Sequence, residues 1–197
     1  EEWVGSVFIT SSADIGVVAE RYKVDDQMLL TNTSRPEHTG GADNPIAASI
    51  KYGALVFKEY NYWNTGISIA NVDDDAHNSV TVSYVGPTNN IVGQDTLTIP
   101  PRGMEFIYTP GTQDLGLFDG FVGSVVIEGT QELIAAVDQV KYVGNDPDQG
   151  QAMSYVTEEE NNEAGEGGAL VMPLVQKGNP NTGNGDTSGI QLFNTDN

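Results

Sequence analysis

The sequence predicts an all-β fold of tandem antiparallel β-sandwich repeats, either jelly-roll or immunoglobulin-like. Alternating apolar and polar stretches recur at spacings of about 8–14 residues, with turn-forming residues between them. No stretch has the periodicity of an amphipathic helix. Segments also repeat along the chain at an offset of about 118 residues, close to the usual size of a domain.

Matching segments define the repeat. WVGSV at residues 3–7 matches FVGSV at residues 121–125, and GALVF at residues 53–57 matches GALVM at residues 168–172. TGISIAN at residues 65–71 matches SGIQLFN at residues 188–194. The chain therefore divides into the C-terminal part of one repeat (1–52), a complete repeat (53–156), an acidic glycine-rich linker (157–167) and the N-terminal part of a further repeat (168–197).

These boundaries have two explanations. The chain is a piece of a longer repeat array, cut out of register with the repeat. Alternatively, the late strands of one subunit and the early strands of another complete a shared domain by strand addition. A head-to-tail contact of that kind can propagate into a filament.

The elements follow from alternation and from turn residues. Strands are predicted at residues 4–9, 15–22 and 27–31, before a polar loop at residues 32–44. In the complete repeat, residues 120–140 are predicted to form two strands with a tight polar connection. The other strands of that repeat are predicted at residues 53–57, 66–72, 80–84, 97–99, 104–108 and 151–156.

Composition excludes several classes of protein. The 28 acidic and 8 basic residues give a net charge of −20, which disfavours nucleic acid and anionic membrane surfaces as partners. No apolar run reaches the roughly 18 residues of a membrane-spanning helix. Cysteine is absent, so no disulfide or thiolate site can form. The acidity fits divalent cations as partners, adaptation to high salt, or simple solubility.

No catalytic site and no resident cofactor is predicted. The two histidines, His38 and His77, both fall in predicted loops, which gives no support for a Ser-His-Asp site. No pair of acids has the distinctive apolar setting that glycoside hydrolysis would use. The glycine-rich stretches do not lie between a strand and a helix, as phosphate-binding loops do.

Calcium is the one metal that the sequence suggests. It takes six to eight oxygen ligands, which acidic loops supply well. Asp and Asn are also the commonest turn formers, so the same residues have a purely structural reading. The candidate ligands are Asp73, Asp74 and Asp75, then Asp146 and Asp148, then Asp186 with Asn184.

Three aromatic residues crowd the polar segment before Thr65. Tyr60, Tyr62 and Trp63 could stack on sugar rings, because an aromatic face offers apolar area to the C–H side of a sugar. The alternative is that they pack in the core or in an interface. The matching region near residue 186 has no aromatic residue, so these residues are not part of the shared framework.

Several framework segments together resemble β-sandwich repeats of large bacterial cell-surface proteins. The resemblance rests on WNTGISIAN (63–71), VTVSY (80–84), IPPRG (99–103), GFVGSVVI (120–127) and IAAV (134–137). It implies an extracellular or cell-surface location and a structural or adhesive role. It assigns no activity and no site residue.

The sequence thus predicts an extracellular structural protein, not an enzyme: a subunit of a filament, sheath or surface layer. Its homopolymer would form head to tail, by strand complementation between the incomplete terminal repeats. The alternative is an adhesin-like module that binds carbohydrate or calcium. The predicted assembly interface comprises Val7, Ile9, Ile15, Val17, Leu170, Val171, Ile190 and Leu192.

Overall fold

The computed structural model describes residues 7–9, 12, 48–112, 116–141, 151–157 and 177. The chain forms two compact units, residues 1–159 and residues 160–197, and nearly all described residues belong to the first. The described part contains strands and one short 3₁₀ turn but no α-helix, which confirms the all-β prediction. The predicted strands 15–22 and 27–31 and the partial repeat 168–197 lie outside it, apart from Lys177.

Seven strands form one curled antiparallel sheet. A 3₁₀ turn, Thr109–Gly111, follows the fifth strand. The strands are β1 (Ala48–Lys58), β2 (Trp63–Asn71), β3 (Asn78–Val85), β4 (Ile91–Ile99), β5 (Met104–Tyr108), β6 (Phe121–Lys141) and β7 (Gln151–Val156).

The sheet is organised around β6, a single strand of 21 residues. Residues 125–128 lie between β1 and β3, and residues 136–141 lie between β2 and β7. Strand β4 then pairs with β3, and β5 pairs with β2. Two runs of four strands, β1-β6-β3-β4 and β7-β6-β2-β5, therefore share β6.

The prediction of two strands and a tight connection in residues 120–140 was wrong. The polar stretch at residues 128–132 is mostly solvent-facing, but the chain continues through it instead of turning back. The buried Asn78 side chain accepts a hydrogen bond from the Gln131 N–H (3.1 Å) and donates one to the Gln131 carbonyl (3.0 Å). The Asn78 side chain thus pairs the backbone N–H and carbonyl groups of Gln131 at a point where the β-ladder is irregular, so the strand can continue without a turn.

One hydrophobic core lies against the inner face of the curled sheet. Ile67 and Ile69 of β2 and Val80 and Val82 of β3 are fully buried there, as their alternation with polar residues predicts. Strand β6 contributes more buried residues to this core than either of these strands: Phe121, Val125, Ile127, Leu133 and Ala135.

Three further strand predictions need correction. Strand β4 begins at Ile91 rather than at Leu97. Strand β1 begins at Ala48 rather than at Gly53, so it runs across residues 52 and 53. Residues 7–9, predicted as the end of a strand, have no regular secondary structure. They are exposed, so no buried face holds them in a register.

A bulge in β1 is satisfied by core side chains. The ladder with β6 shifts register between Gly53 and Val56, which frees the backbone of Leu55. The Tyr155 hydroxyl accepts a hydrogen bond from the Leu55 N–H (3.0 Å) and donates one to the Leu55 carbonyl (2.6 Å). Gln139 Nε2 donates to the same carbonyl (2.8 Å). Burial raises the pKa of Tyr155 to about 12, so its hydroxyl remains a donor in the alkaline range where an exposed tyrosine ionises.

Candidate functional site

The turn between β1 and β2 has an uncommon backbone. Tyr60 and Trp63 exchange two backbone hydrogen bonds, of 3.1 and 2.8 Å. The two residues between them, Asn61 and Tyr62, both have positive φ, of 48° and 68°. This is the geometry of a type I′ hairpin turn, for which Asn-Gly is the preferred sequence. A tyrosine thus stands where glycine is favoured.

The strain extends beyond the two central residues. Glu59 also has positive φ, of 48°, so three of the five described non-glycine residues with positive φ fall within residues 59–62. For residues other than glycine and asparagine, a backbone conformation in the left-handed region costs free energy. Such strain concentrates at functional sites, where the surrounding structure holds it in place.

Buried polar side chains fix the base of this turn. The Asn64 Oδ1 atom accepts a hydrogen bond from the Glu59 N–H (2.8 Å). Thr65 Oγ1 accepts from the Phe57 N–H (2.8 Å), and Thr109 Oγ1 accepts from the Thr65 N–H (3.0 Å). The Thr109 hydroxyl then donates to the Phe57 carbonyl (2.7 Å). These bonds tie the ends of β1 and β2 together and preorganise the turn.

Four aromatic side chains lie on this hairpin, and we call Phe57, Tyr60, Tyr62 and Trp63 the aromatic ledge. The Phe57 ring stacks on the Tyr60 ring, with centroids 5.8 Å apart and planes within 7°. It also contacts Trp63, at 5.8 Å and an interplanar angle of 32°. Phe57 is nearly buried, whereas Tyr60 is 41% exposed and Tyr62 is 62% exposed. The ledge therefore presents exposed rings on a packed aromatic base.

A lysine lies beside the ledge. Lys141, the last residue of β6, is the ladder partner of Trp63. Its Nζ atom is 5.9 Å from the centroid of the Trp63 ring, a cation–π distance. The sequence singles out Tyr60, Tyr62 and Trp63 but misses Phe57 and Lys141. The missing signal for Lys141 is the β2–β6 register, which the residue pattern does not give.

The Asp73–Asp75 turn is organised by its own hydrogen bonds. Asp73 Oδ1 accepts from the backbone N–H groups of Asp75 (2.8 Å) and Ala76 (2.6 Å), and these bonds lower the pKa of Asp73. The Arg102 guanidinium pairs with Asp74 and lowers the pKa of that carboxyl. Both carboxylates thus have structural partners.

Calcium binding stays a prediction. Among the described residues, no group of three or more His, Cys, Asp or Glu side chains is placed to hold a metal ion. Asp146, Asp148, Asn184 and Asp186 lie outside the described residues. His77 is exposed just before β3, and His38 is also outside the described part.

Two residues of the predicted assembly interface are described. Val7 is 74% exposed and Ile9 is 56% exposed, and the Phe8 ring between them lies 5.7 Å from Cζ of Arg102. The other six lie outside the described residues: Ile15, Val17, Leu170, Val171, Ile190 and Leu192. In the part of the chain that is described, no helix is long and apolar enough to span a membrane.

Comparison with known proteins assigns this chain to no family. No family model matches the chain, and no curated protein matches it significantly. The crystal structure of Thermotoga maritima 1070 is similar, with a TM-score of 0.48 and 12% identity, over 57% of this chain and 95% of that one. The Anabaena sensory rhodopsin transducer has a TM-score of 0.39 and 16% identity, over 46% of this chain and 94% of its own. At these identities and TM-scores, neither supports a functional assignment.

Proposed function

We propose that this chain is a non-catalytic carbohydrate-binding module of an extracellular or cell-surface protein, and that the aromatic ledge is its binding site. The observation that carries the proposal is the exposure of Tyr60 and Tyr62 on a strained, hydrogen-bonded turn. Packing in the protein interior does not explain why a tyrosine occupies position 62, because most of the Tyr62 side chain faces solvent. A ligand that packs on the Tyr62 ring would account for an exposed aromatic side chain at this strained position.

The chemistry of the ledge suits a sugar ring. The C–H face of a pyranose packs on an aromatic ring, and such contacts need a flat, exposed and rigid platform. The stacked pair of Phe57 and Tyr60 is rigid because Thr65 and Thr109 hold the backbone of Phe57, and the backbone of Trp63 holds that of Tyr60. Preorganisation of this kind improves affinity, since little side-chain freedom is lost when the ligand binds.

A glycan array followed by titration calorimetry tests the proposal. We expect the intact chain to bind at least one oligosaccharide, and Tyr62→Ala to weaken that binding about two- to tenfold, the range of a single aromatic contact. Phe118→Ala is the matched control, because Phe118 is a similarly exposed aromatic residue (58%) outside the ledge. Equal losses in both variants, or no glycan bound at all, would count against the ledge as a sugar site.

We also propose that the described sheet belongs to a jelly-roll or immunoglobulin-like β-sandwich that recurs in tandem along the parent protein. The two runs of four strands that share β6, with one core between their inner faces, support the sandwich. The recurrence of WVGSV and FVGSV supports the repeat. The resemblance to bacterial cell-surface repeats accords with both.

Homopolymeric assembly is the second candidate function. In the repeat alignment, Val7 and Ile9 correspond to Val125 and Ile127, which are fully buried in β6. Val7 and Ile9 are exposed instead, so two side chains that have core counterparts lack that environment. A strand from another subunit could cover them by strand addition, giving a filament, sheath or surface layer.

Negative-stain electron microscopy of the intact chain tests assembly. We expect regular filaments or sheets, and we expect Ile9→Asp to abolish them while the β-sheet circular dichroism is retained. Ile91→Asp is the matched control, because Ile91 has similar exposure (61%) in β4 of the complete repeat. Monodisperse particles of the wild-type chain, with and without calcium, would rule out this candidate.

A further inference from the structure

We infer that the aromatic ledge selects sugars that carry a carboxylate, such as uronic acids, because Lys141 places a cation beside the stacking rings. This inference rests on the proposed carbohydrate function and names the class of ligand. Its basis is the position of one lysine, the state of the other basic residues, and the strong acidity of the chain.

Lys141 is available to a ligand. It is partly exposed, and its Nζ atom contacts the face of Trp63 at 5.9 Å. Among the described residues, no carboxylate forms an ion pair with Lys141. An ammonium group has three N–H donors, and contact with a ring face leaves donors for a carboxylate oxygen. A sugar stacked on the ledge would bring its substituents within reach of these donors.

The other basic residues in the described part of the first compact unit have structural positions. Lys51 is 1% exposed and Lys58 is 4% exposed. The Lys58 Nζ atom donates to the Leu117 carbonyl (2.6 Å) and lies 3.8 Å from Asp119. Arg102 pairs with Asp74. Lys141 is therefore the described cation of this unit that lies over a ring of the aromatic ledge.

The net charge of −20 makes this placement informative. An acidic protein repels an anionic ligand at long range, but that repulsion is screened beyond about 8 Å at physiological salt. At the ledge, the contact with Lys141 is closer than this distance and determines the preference. Beside the rings, a lysine that has no carboxylate partner among the described residues favours a negatively charged ligand, whereas a neutral sugar would need no cation there.

Titration calorimetry with matched oligosaccharides tests the inference. The probes are trimers of galacturonate, glucuronate and mannuronate, and as neutral partners the corresponding trimers of galactose, glucose and mannose. We expect at least one acidic trimer to bind about fivefold more tightly than its neutral partner, the effect of one partly exposed ion pair. That preference should shrink as sodium chloride is raised.

Three variants separate the charge from the stacking. Lys141→Gln should abolish the preference by bringing the affinity for the acidic trimer down to that for its neutral partner, whereas Lys141→Arg should keep the preference. Lys177→Gln is the control for net charge, because Lys177 is an exposed lysine in the second compact unit. It should change neither affinity.

The outcomes distinguish the inference from the proposed function. Neutral trimers that bind as tightly as acidic ones would overturn the selection by Lys141 and leave sugar binding intact. An acidic preference that survives in Lys141→Gln would do the same. Failure of all six trimers to bind would overturn the inference, and the proposed function fails with it only if the array also shows no bound glycan.

Discussion

Replacing Tyr62 by glycine should stabilise the turn relative to alanine and abolish its contribution to binding. Tyr62 has a φ of 68° in the second central position of a type I′ turn, where glycine is preferred. Tyr62→Gly and Tyr62→Ala remove the same ring. They differ only in the Cβ atom, so their comparison isolates the strain of the backbone.

The expected difference follows from two opposing effects. A Cβ atom in the left-handed region costs about 1–2 kcal/mol, which glycine avoids. Glycine also gives the unfolded chain more freedom, which costs about 0.4–1 kcal/mol of stability. Because Tyr62 is 62% exposed, the ring loses little packing, and that loss is common to both variants. Tyr62→Gly should therefore be more stable than Tyr62→Ala by roughly 0.5–1 kcal/mol, or about 1–4 °C in Tm.

Thermal and urea unfolding, followed by circular dichroism, measure the free energy of unfolding of both variants. Calorimetry with the glycan identified on the array measures their affinity, which should be equally weak. If Tyr62→Ala is at least as stable as Tyr62→Gly, the turn is not strained. If Tyr62→Gly binds the glycan as the wild-type chain does, the exposed ring is not part of the site.

Four further predictions concern Tyr84, Tyr155 and Gly123. The buried Tyr84 hydroxyl has no hydrogen-bond partner in the described structure, so Tyr84→Phe should leave the free energy of unfolding unchanged or raise it by about 1 kcal/mol. By contrast, Tyr155→Phe should lower the free energy of unfolding by about 1–3 kcal/mol, because it leaves the Leu55 N–H unpaired. The pKa of Tyr155 is raised to about 12 in the folded protein, so as pH rises the unfolded chain loses the Tyr155 hydroxyl proton first, and the free energy of unfolding should fall between pH 10 and pH 12. In urea titrations over this range, the fall should be smaller for Tyr155→Phe than for the wild-type chain. A Cβ atom on Gly123 would clash with the Val85 carbonyl oxygen, so Gly123→Ala should lower the free energy of unfolding by about 1–3 kcal/mol in a urea titration. An unchanged midpoint would contradict that close approach.

The alternation of apolar and polar residues predicts those strands that have one buried and one exposed face. The alternation of Ile67 and Ile69 with polar residues places β2 correctly, because one face meets the core and the other does not. The same reasoning locates β3, β5 and β7 to within a few residues. It fails at the start of β1, because residues 48–52 include the buried Lys51, whose burial its residue type does not predict.

The candidate site is only partly visible in the sequence. Tyr60, Tyr62 and Trp63 attract notice as a cluster, but the turn that displays them does not. The usual signal for a type I′ turn is Asn-Gly, and here the glycine position is occupied by Tyr62. The residue that departs from the local rule is the most exposed member of the ledge. This is the pattern expected where function, not stability, selects the side chain.

The continuity of β6 determines which charged residue lies beside the ledge. Had residues 120–140 folded back as a hairpin, residue 140 would lie close to Phe121, at the end of the strand that pairs with Lys58. Instead the Asn78 side chain carries the strand through residues 130–132, and β6 runs on beside β2 until Lys141 lies opposite Trp63. A buried amide near the middle of β6 thus positions the cation at its end. The contact between Lys141 and Trp63 is therefore a consequence of the length of β6. The sequence does not predict this length, because the polar stretch at residues 128–132 is typical of a turn.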